Sequence, residues 1–329
     1  MKFGPVPLDQ AEGRILGHNV AGPDGKRLLR KGKALRREDV ESLRGLGRST
    51  VYVAELERGD VDENVAAQRI AQAALGPGLR LSGASTGRVN LVATVLGVFR
   101  FEGERLRAVN ASEGVTVASL ASQAVVRPGQ TVATVKVIPY AVREDEVGRG
   151  EAVARDGGPL LRVDALLRRR VGLVLTGSPS VQEHLTESFT PLVERAYATL
   201  EDQKGEEDLA ETLLRQRRLP VDLILLAGET AIMDRHDITP RAVERAGGRI
   251  VSVGAPVDPG NLLMLAYIDD VPVLGAPGCA RSRKVNVVDW VLPRLLVGDR
   301  LSREDIIGFG AGGLLEDVPE RPLPRSRID

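Results

Sequence analysis

The sequence predicts an α/β protein: a mostly parallel, three-layer sheet domain preceded by a smaller α/β region and a mostly β domain. Between residues 170 and 315, buried-strand runs alternate with capped helix patterns, an order typical of a parallel sheet covered on both faces. Residues 83–142 carry short β-branched runs separated by turn formers. Hydrophobic residues make up 43% of the 329 residues, enough to give each part a core.

A chain of this length is expected to form more than one domain. A polar, glycine-rich segment that opens with Arg143-Glu144-Asp145-Glu146 suggests an exposed linker between the β domain and the parallel-sheet domain. The predicted segments are an N-terminal α/β region (1–76), a mostly β domain (77–145), a linker (146–168), the α/β domain (169–315) and a Pro/Arg-rich tail (316–329).

The first region is predicted to hold two helices with a strand between them. Apolar residues recur every three or four positions before Gly47 and again over residues 62–74, and residues 51–54 are typical of a strand. The inward-facing positions are Val40, Leu43 and Leu46 in the first helix and Val65, Ile70 and Ala71 in the second.

The second region is predicted to be built from short strands. Its β-branched runs lie at residues 89–98, 106–110, 115–120 and 131–138, and Arg127-Pro128-Gly129-Gln130 predicts a tight turn before the last of them.

The third region supplies strands at residues 171–175, 221–227 and 249–253 and a hairpin turning at Asp269-Asp270. Helices are predicted after Ser180, over 206–217 and over 283–297. Another is predicted from Thr239 as N-cap, with Pro240 in its first position, to Gly247. The apolar stripe of the first of these helices is Val181, Leu185, Phe189, Val193, Tyr197 and Leu200.

Composition excludes several classes of function. Lys plus Arg and Asp plus Glu both number 45, so there is no global positive field to coat nucleic acid, and aromatic residues are only 3%. A single cysteine, Cys279, rules out an intrachain disulfide and a thiolate metal cluster. No secretory signal or membrane-length apolar run is visible, so we expect a cytoplasmic protein without a membrane or nucleic-acid partner.

Three loops that follow predicted strands carry residue types suited to binding. Ligands of open α/β sheets bind beyond the carboxyl ends of the strands, and the first turn of a helix attracts anions. The three loops are Thr176-Gly177-Ser178, Ala227-Gly228-Glu229-Thr230 with Asp234, Asp237 and Thr239 beyond it, and Gly275-Ala276-Pro277-Gly278-Cys279-Ala280-Arg281-Ser282. Together, at three strand ends, they predict one site.

Each loop also has a simpler interpretation. Thr176-Gly177-Ser178 is compatible with a plain turn and helix cap, and Asp234 and Asp237 with solvated acids at a helix entry. Cys279 follows a glycine in a candidate anion loop, where its thiolate would be somewhat stabilised, although no histidine base is placed nearby by sequence.

These motifs resemble the molybdopterin-binding fold shared by molybdopterin adenylyltransferase, molybdopterin molybdenumtransferase and the two ends of gephyrin. The family's Thr-Gly-Ser is matched by Thr176-Gly177-Ser178 and its Pro-Gly-x-Pro loop by Pro277-Gly278-Cys279-Ala280, followed by Ser282. An Arg-Asp-x-Thr-Pro run of the adenylyltransferases is similar to Arg235-His236-Asp237-Ile238-Thr239-Pro240. The opening residues 6–16 resemble the start of the molybdenumtransferase.

The resemblance implies a protein that binds molybdopterin or the molybdenum cofactor during cofactor biosynthesis or hand-over. It implies that the ligand contacts lie in the three loops, and that Asp234 and Asp237 act as catalytic acids and hold Mg²⁺. The implied partners are a pterin or nucleotide ligand, a molybdoenzyme or a molybdenum-cofactor nucleotidyltransferase, and further copies of the chain in a homo-oligomer.

Two departures from the family pattern keep the type of function open. Glu229 stands where the family has the second glycine of Gly-Gly, and the Ser-x-Met-Asp-Gly-Tyr-Ala signature is absent. One hypothesis is a transferase that moves a nucleotidyl group or molybdate. The alternatives are a non-catalytic cofactor carrier and a gephyrin-like interaction module.

Overall fold

A computed structural model describes residues 1–167, 169–195, 198–204, 209–228, 231–281 and 285–315. The chain divides into two compact units, residues 1–164 (unit 1) and 165–329 (unit 2).

Unit 1 is a mixture of short antiparallel sheets and helices. Its helices are α1 (Arg37–Gly45), α2 (Glu63–Ala74), α3 (Gly103–Asn110) and α4 (Glu144–Arg155). Its strands are β1 (Lys2–Pro7), β2 (Ile15–Leu16), β3 (Val20–Ala21), β4 (Arg27–Leu29), β5 (Thr50–Glu55), β6 (Asp60–Asp62), β7 (Leu79–Leu81), β8 (Arg88–Ala93), β9 (Gly97–Phe101), β10 (Val115–Ser119), β11 (Val125–Val126), β12 (Thr131–Val137), β13 (Ala141–Arg143) and β14 (Leu161–Ala165).

Two of the sheets give unit 1 its cores. Strands β1, β5 and β2 form an antiparallel sheet, and β10, β12, β8 and β7 form another in that order. Helix α2 contacts β8 and β12, and Ile70 is buried with Val89 and Val135. Alternating strand positions supply this core because successive side chains point to opposite faces of a sheet.

The structure confirms several predicted elements of unit 1. These are the helices α1 and α2, the strands β5, β10 and β12, and the turn at Pro128-Gly129. Val65, predicted to face inward, is 51% exposed. The apolar run at 89–98 is two strands rather than one, and residues 106–110 belong to helix α3. That helix begins because the Glu102 carboxylate accepts hydrogen bonds from the backbone N–H groups of Glu104 and Arg105.

The segment 146–168, predicted to be a linker, instead contains most of α4 and the whole of β14. Helix α4 packs on α2 with Val147 and Ala154 buried. A Cβ on Gly150 would lie 2.6 Å from Ile70 Cδ1, so this glycine lets the two helices come close. Gly150, which looked like a linker residue, is therefore a packing residue.

Unit 2 is a mixed sheet with helices between its strands. The helices are α5 (Pro179–Arg195), α6 (Leu209–Arg217), α7 (Ile238–Arg245), α8 (Val287–Leu296) and α9 (Arg303–Gly308). The strands are β15 (Arg169–Thr176), β16 (Ala198–Lys204), β17 (Leu223–Gly228), β18 (Arg249–Val253), β19 (Met264–Ile268) and β20 (Val271–Gly275).

The sheet of unit 2 has the strand order β16-β15-β17-β20-β19-β18. Strands β16, β15, β17 and β20 are parallel to one another, whereas β19 is antiparallel to both β20 and β18. The hairpin between β19 and β20 turns at Asp269-Asp270 as predicted, and Asp269 adopts a positive φ of 52° there. The parallel arrangement brings the carboxyl ends of β15, β17 and β20 to one edge.

Strand β17 of this sheet is buried on both faces. Ile224 and Leu226 pack with Ala210 of α6 and Val243 of α7, and the alternate positions Leu223 and Leu225 are fully buried as well. Burial of both alternating sets explains the continuous apolar run of β17, which is typical of a covered parallel strand.

Several boundaries in unit 2 differ from the predictions. Helix α7 is capped by Asp237, not Thr239, and α8 begins after Asn286, whose side-chain Oδ1 accepts a hydrogen bond from the Val288 N–H. Leu200, assigned to a helix, lies in β16. In the predicted stripe of α5, Leu185, Phe189 and Val193 are buried, and Tyr197 lies outside the described residues.

Candidate functional site

The three predicted loops begin at the same edge of the unit 2 sheet. In the register of the parallel strands Thr176 of β15 is paired with Gly228 of β17, and Leu226 of β17 is paired with Gly275 of β20. The backbone N–H of Ala276 extends this pairing by donating to the Leu226 carbonyl oxygen at 2.8 Å. The structure therefore brings the starts of all three loops together.

A small pocket lies at this edge, with a volume of about 20 Å³. That is room for about one water molecule. A larger ligand has to lie across the loops rather than inside the pocket. The pocket-lining residues are Val174, Thr176, Leu209, Leu226, Ala227, Gly228, Ile232, Thr239 and Ala276.

The first loop is held by a buried glutamine. Gln182 is 4% exposed, and its side-chain Nε2 donates to the carbonyl oxygen of Gly177 at 2.9 Å. Gly177 has a φ of 121°, which favours glycine, and helix α5 starts two residues later. Ser178 is exposed, with its hydroxyl 3.2 Å from that of Ser180. The loop thus leads directly into a helix N-terminus, where backbone N–H groups favour an anion.

The second loop requires glycine at position 228. A Cβ on Gly228 would lie 2.2 Å from the Thr176 hydroxyl oxygen, so any side chain there would displace that hydroxyl. Glu229 and Thr230, the next two predicted site residues, lie outside the described residues.

The two predicted acids form hydrogen bonds within their own segment. Asp237 accepts from the backbone N–H of Met233 at 2.8 Å and of Ile238 at 3.3 Å, and Asp234 accepts from the His236 N–H at 2.5 Å. Asp234 is exposed and Asp237 is half-buried. Both therefore shape the entry of α7.

Across the part of the chain that the structure describes, no group of three or more His, Cys, Asp or Glu side chains is placed to hold a metal ion. The described acids of this loop would therefore need ligand oxygens to complete a Mg²⁺ shell.

The third loop runs through Pro277 into a short 3-10 turn, Gly278–Arg281, in which the Ala280 N–H donates to the Pro277 carbonyl oxygen at 2.9 Å. Burial raises the pKa of the Cys279 thiol, which contradicts the expected stabilisation of its thiolate. The Arg281 side chain and Ser282 lie outside the described part of the loop.

Gln182 and Ile232 contribute to this edge but were not assigned to the site from the sequence: Gln182 holds the first loop, and Ile232 lines the pocket. Thr239, which the sequence placed beyond the second loop, lines the pocket instead of capping a helix. The position of Gln182 beside the buried stripe of α5 was the sequence signal available for it. Ile232 reaches the site through the path of the chain between β17 and α7, which sequence periodicity does not describe.

Comparison with known proteins gives distant similarities. A family model described as a domain of unknown function (DUF8806) matches residues 5–55, and the chain has no significant match among curated proteins. A solved molybdenum cofactor biosynthesis protein from Pyrococcus furiosus is 14% identical with a TM-score of 0.25, and the match covers 90% of this chain and 63% of that one. The chain thus spans less than two thirds of that protein's length.

Two solved molybdopterin biosynthesis MoeA proteins from Pyrococcus horikoshii are similarly distant. They are 13% and 11% identical, with TM-scores of 0.29 and 0.25, and the matches cover 90% and 93% of this chain and 75% of each relative. These scores are too low to carry an argument about the present chain. Within the described residues, no helix has the length and apolar character needed to cross a membrane.

Proposed function

We propose that this chain binds molybdopterin or the molybdenum cofactor and acts in the biosynthesis of that cofactor or its hand-over to molybdoenzymes. The observation that carries the proposal is the shared edge of Thr176, Gly228 and Ala276. Each of these residues lies within the first two positions of one of the three loops, whose sequences resemble those of the molybdopterin-binding family. The three-layer molybdopterin-binding fold for unit 2 is part of the proposal.

The edge offers hydrogen-bond donors for an anionic ligand that lies across the loops. The backbone N–H groups at the start of α5 would bind phosphate oxygens. The Thr176 hydroxyl, which the absence of a side chain at Gly228 leaves in place, would contact the ligand at the pocket. A bound pterin would supply dithiolene sulfurs for the metal, and the residues of this edge would position it.

Asp234 and Asp237 are proposed to serve Mg²⁺-dependent binding through the oxygens of a bound phosphate. Their hydrogen bonds to Met233, His236 and Ile238 hold the segment in a defined conformation without exhausting the lone pairs of the carboxylates. Mg²⁺ in this site stays a prediction.

The second candidate is a non-catalytic carrier that presents the cofactor to a partner. It is favoured by Glu229, whose carboxylate replaces a glycine in a loop of the proposed site. A negative charge next to a phosphate would oppose the charge neutralisation on which nucleotidyl transfer depends.

The test is titration of the purified chain with molybdopterin, followed by incubation with Mg²⁺ and ATP, CTP or molybdate. Binding with formation of a nucleotidylated or metal-loaded pterin would establish a transferase. Binding without turnover would establish the carrier. Absence of molybdopterin binding by the folded chain would contradict the proposal and favour a gephyrin-like interaction module.

A further inference from the structure

A second pocket lies entirely within unit 1, all of whose residues the structure describes. It has a volume of about 970 Å³, ample for a ligand the size of a nucleotide. Segments far apart in the chain form it, from β1 to the residues that follow β12. We call it the basic pocket. Its lining residues are Met1, Phe3, Gly17, His18, Arg30, Lys31, Gly32, Lys33, Glu63, Asn64, Thr86, Arg88, Lys136, Ile138, Pro139 and Tyr140.

The basic pocket has an excess of positive charge. Among its cations, Lys33 is paired with Asp39 at 2.5 Å, whereas Arg30, Lys31 and Arg88 are exposed and form no ion pair within the fully described unit 1. Glu63 is the acidic side chain in the lining. Cations that converge on a concave surface raise the local potential and attract anions.

Lys136 is the least solvated of these cations. Its ammonium donates to the Thr86 carbonyl oxygen. Burial lowers the pKa of Lys136, the neighbouring Glu63 carboxylate opposes that shift, and the charges of Lys31 and Arg88 add to it. Lys31 and Arg88 therefore each repel Lys136, and a bound anion would relieve this repulsion.

Aromatic side chains meet at one side of the same pocket. The Phe3 and Tyr140 rings stack with centroids 6.4 Å apart and planes 27° apart, and His18 and Tyr52 complete the cluster. Phe, Trp and Tyr number ten in the whole chain, and three of them are gathered here. The Tyr140 hydroxyl donates to the Gly17 carbonyl oxygen at 2.8 Å, while Phe3 is 46% exposed and leaves ring surface for a ligand to contact.

The Glu63 carboxylate gives the pocket a hydrogen-bond acceptor among its cations. A Cβ on Gly87 would lie 2.9 Å from both Glu63 Oε2 and Lys136 Nζ, so the two charged groups approach the same point. Burial raises the pKa of the Glu63 carboxyl group. An acceptor beside an aromatic surface suits a heterocycle with N–H donors.

We propose that the basic pocket binds a small phosphorylated heteroaromatic molecule, its ring on the Phe3 side and its phosphates among Lys31, Arg88 and Lys136. Nucleotides and phosphorylated pterins share this chemistry. The pocket lies in unit 1 and uses none of the residues of the unit 2 edge, so this proposal is independent of the proposed function.

Calorimetric titration of the full-length chain with ADP, GDP, pyrophosphate and adenosine tests the proposal. We expect ADP or GDP to bind more tightly than pyrophosphate or adenosine, and binding to weaken with added salt. Arg88→Gln should weaken nucleotide binding by about tenfold, the effect of one charge-assisted hydrogen bond. Phe3→Leu should weaken nucleotide binding but not pyrophosphate binding.

Arg80→Gln is the matched control, because Arg80 is also exposed, lies on the neighbouring strand β7 and is not part of the lining. If the chain binds no nucleotide but releases a fluorescent pterin on oxidation, and the Arg88→Gln variant releases less of that pterin, the ligand is a phosphorylated pterin. The proposal is overturned if the chain binds neither a nucleotide nor a pterin, or if Arg80→Gln weakens ligand binding as much as Arg88→Gln does. Tighter binding of an RNA oligonucleotide than of ADP would also overturn it.

Discussion

Thr176 and Gly228 stand opposite each other at the ends of two parallel strands, and a Cβ on Gly228 would lie 2.2 Å from the Thr176 hydroxyl oxygen. The close approach of the Thr176 hydroxyl to Gly228 joins the first two loops of the proposed cofactor site. Unit 2 therefore needs a glycine here to keep the hydroxyl at the edge of the pocket.

Gly228→Ala should displace the Thr176 hydroxyl and weaken molybdopterin binding by about tenfold, or about 1.4 kcal/mol. The overpacked site should also lose about 1–3 kcal/mol of unfolding free energy. The matched control is Gly148→Ala in helix α4, where a new Cβ meets no atom within 4 Å. That control should gain about 0.5–1 kcal/mol and leave binding unchanged. Equal binding by both variants would remove the Thr176–Gly228 contact from the site.

Two variants of Asp237 distinguish a helix-capping role of this residue from a metal-binding role. Asp237→Ala should cost about 0.5–2 kcal/mol of unfolding free energy because α7 loses its N-cap. Asp237→Asn retains a capping side chain, so its stability should stay near that of the parent. If the carboxylate serves Mg²⁺, however, Asn should weaken Mg²⁺-dependent ligand binding by about tenfold. Titrations with and without Mg²⁺ measure this, and identical affinities would leave Asp237 with the capping role alone.

Gln216 is a buried amide with no hydrogen-bond partner for either side-chain polar atom among the described residues. Gln216→Met should therefore raise the free energy of unfolding by about 1 kcal/mol, since an unpaired buried amide is costly. Gln182 is the contrasting case, because its amide bonds Gly177. Gln182→Met should lower stability by about 1 kcal/mol. Denaturant unfolding measures both, and a loss of stability in Gln216→Met would show that its amide has a partner.

Arg69 joins α2 to α4 through the carboxylates of Glu144 and Glu151. Hydrogen bonding to Arg69 is the main cause that lowers the pKa of Glu151 below its ordinary value of 4.5. The ion pair therefore contributes its full stability at pH values above the ordinary pKa of 4.5, and this contribution is lost as the pH falls through the lowered pKa of the folded protein.

Arg69→Gln should accordingly cost on the order of 1 kcal/mol at neutral pH, a figure reduced by partial exposure of the guanidinium, and the cost should shrink under acid. Arg107→Gln, which removes a highly exposed pair with Glu104, serves as the control and should have little effect at any pH. Denaturant unfolding curves measured at several acidic pH values give the stability cost of each variant as a function of pH. A cost that is constant with pH would show that Arg69 acts by packing rather than by charge.

Strong local signals gave the sequence predictions that the structure confirms. The apolar spacing of α2 and the buried run of β15 are properties of single segments. Errors arose where tertiary packing outweighed local composition. Gly150 looked like a linker residue because its role depends on Ile70, which lies 80 positions earlier in the chain.

The two proposed binding regions differ in how far the sequence could predict them, and the reason is again the reach of tertiary packing. The strand ends at Thr176 and Gly228 meet because parallel strands share an edge, so periodicity alone predicts that they are neighbours. The basic pocket assembles Phe3, Lys31 and Lys136 from segments separated by many elements. No spacing rule relates these positions, and only the fold shows them together.

Release of pterin tests the central claim most directly. The chain and its Gly228→Ala and Gly148→Ala variants would be produced in cells that make molybdopterin, purified, oxidised and assayed for pterin fluorescence. The account predicts fluorescence from the parent and from Gly148→Ala, with a marked loss in Gly228→Ala. A folded parent that releases no pterin, and takes up none when molybdopterin is added, would contradict cofactor binding by this protein.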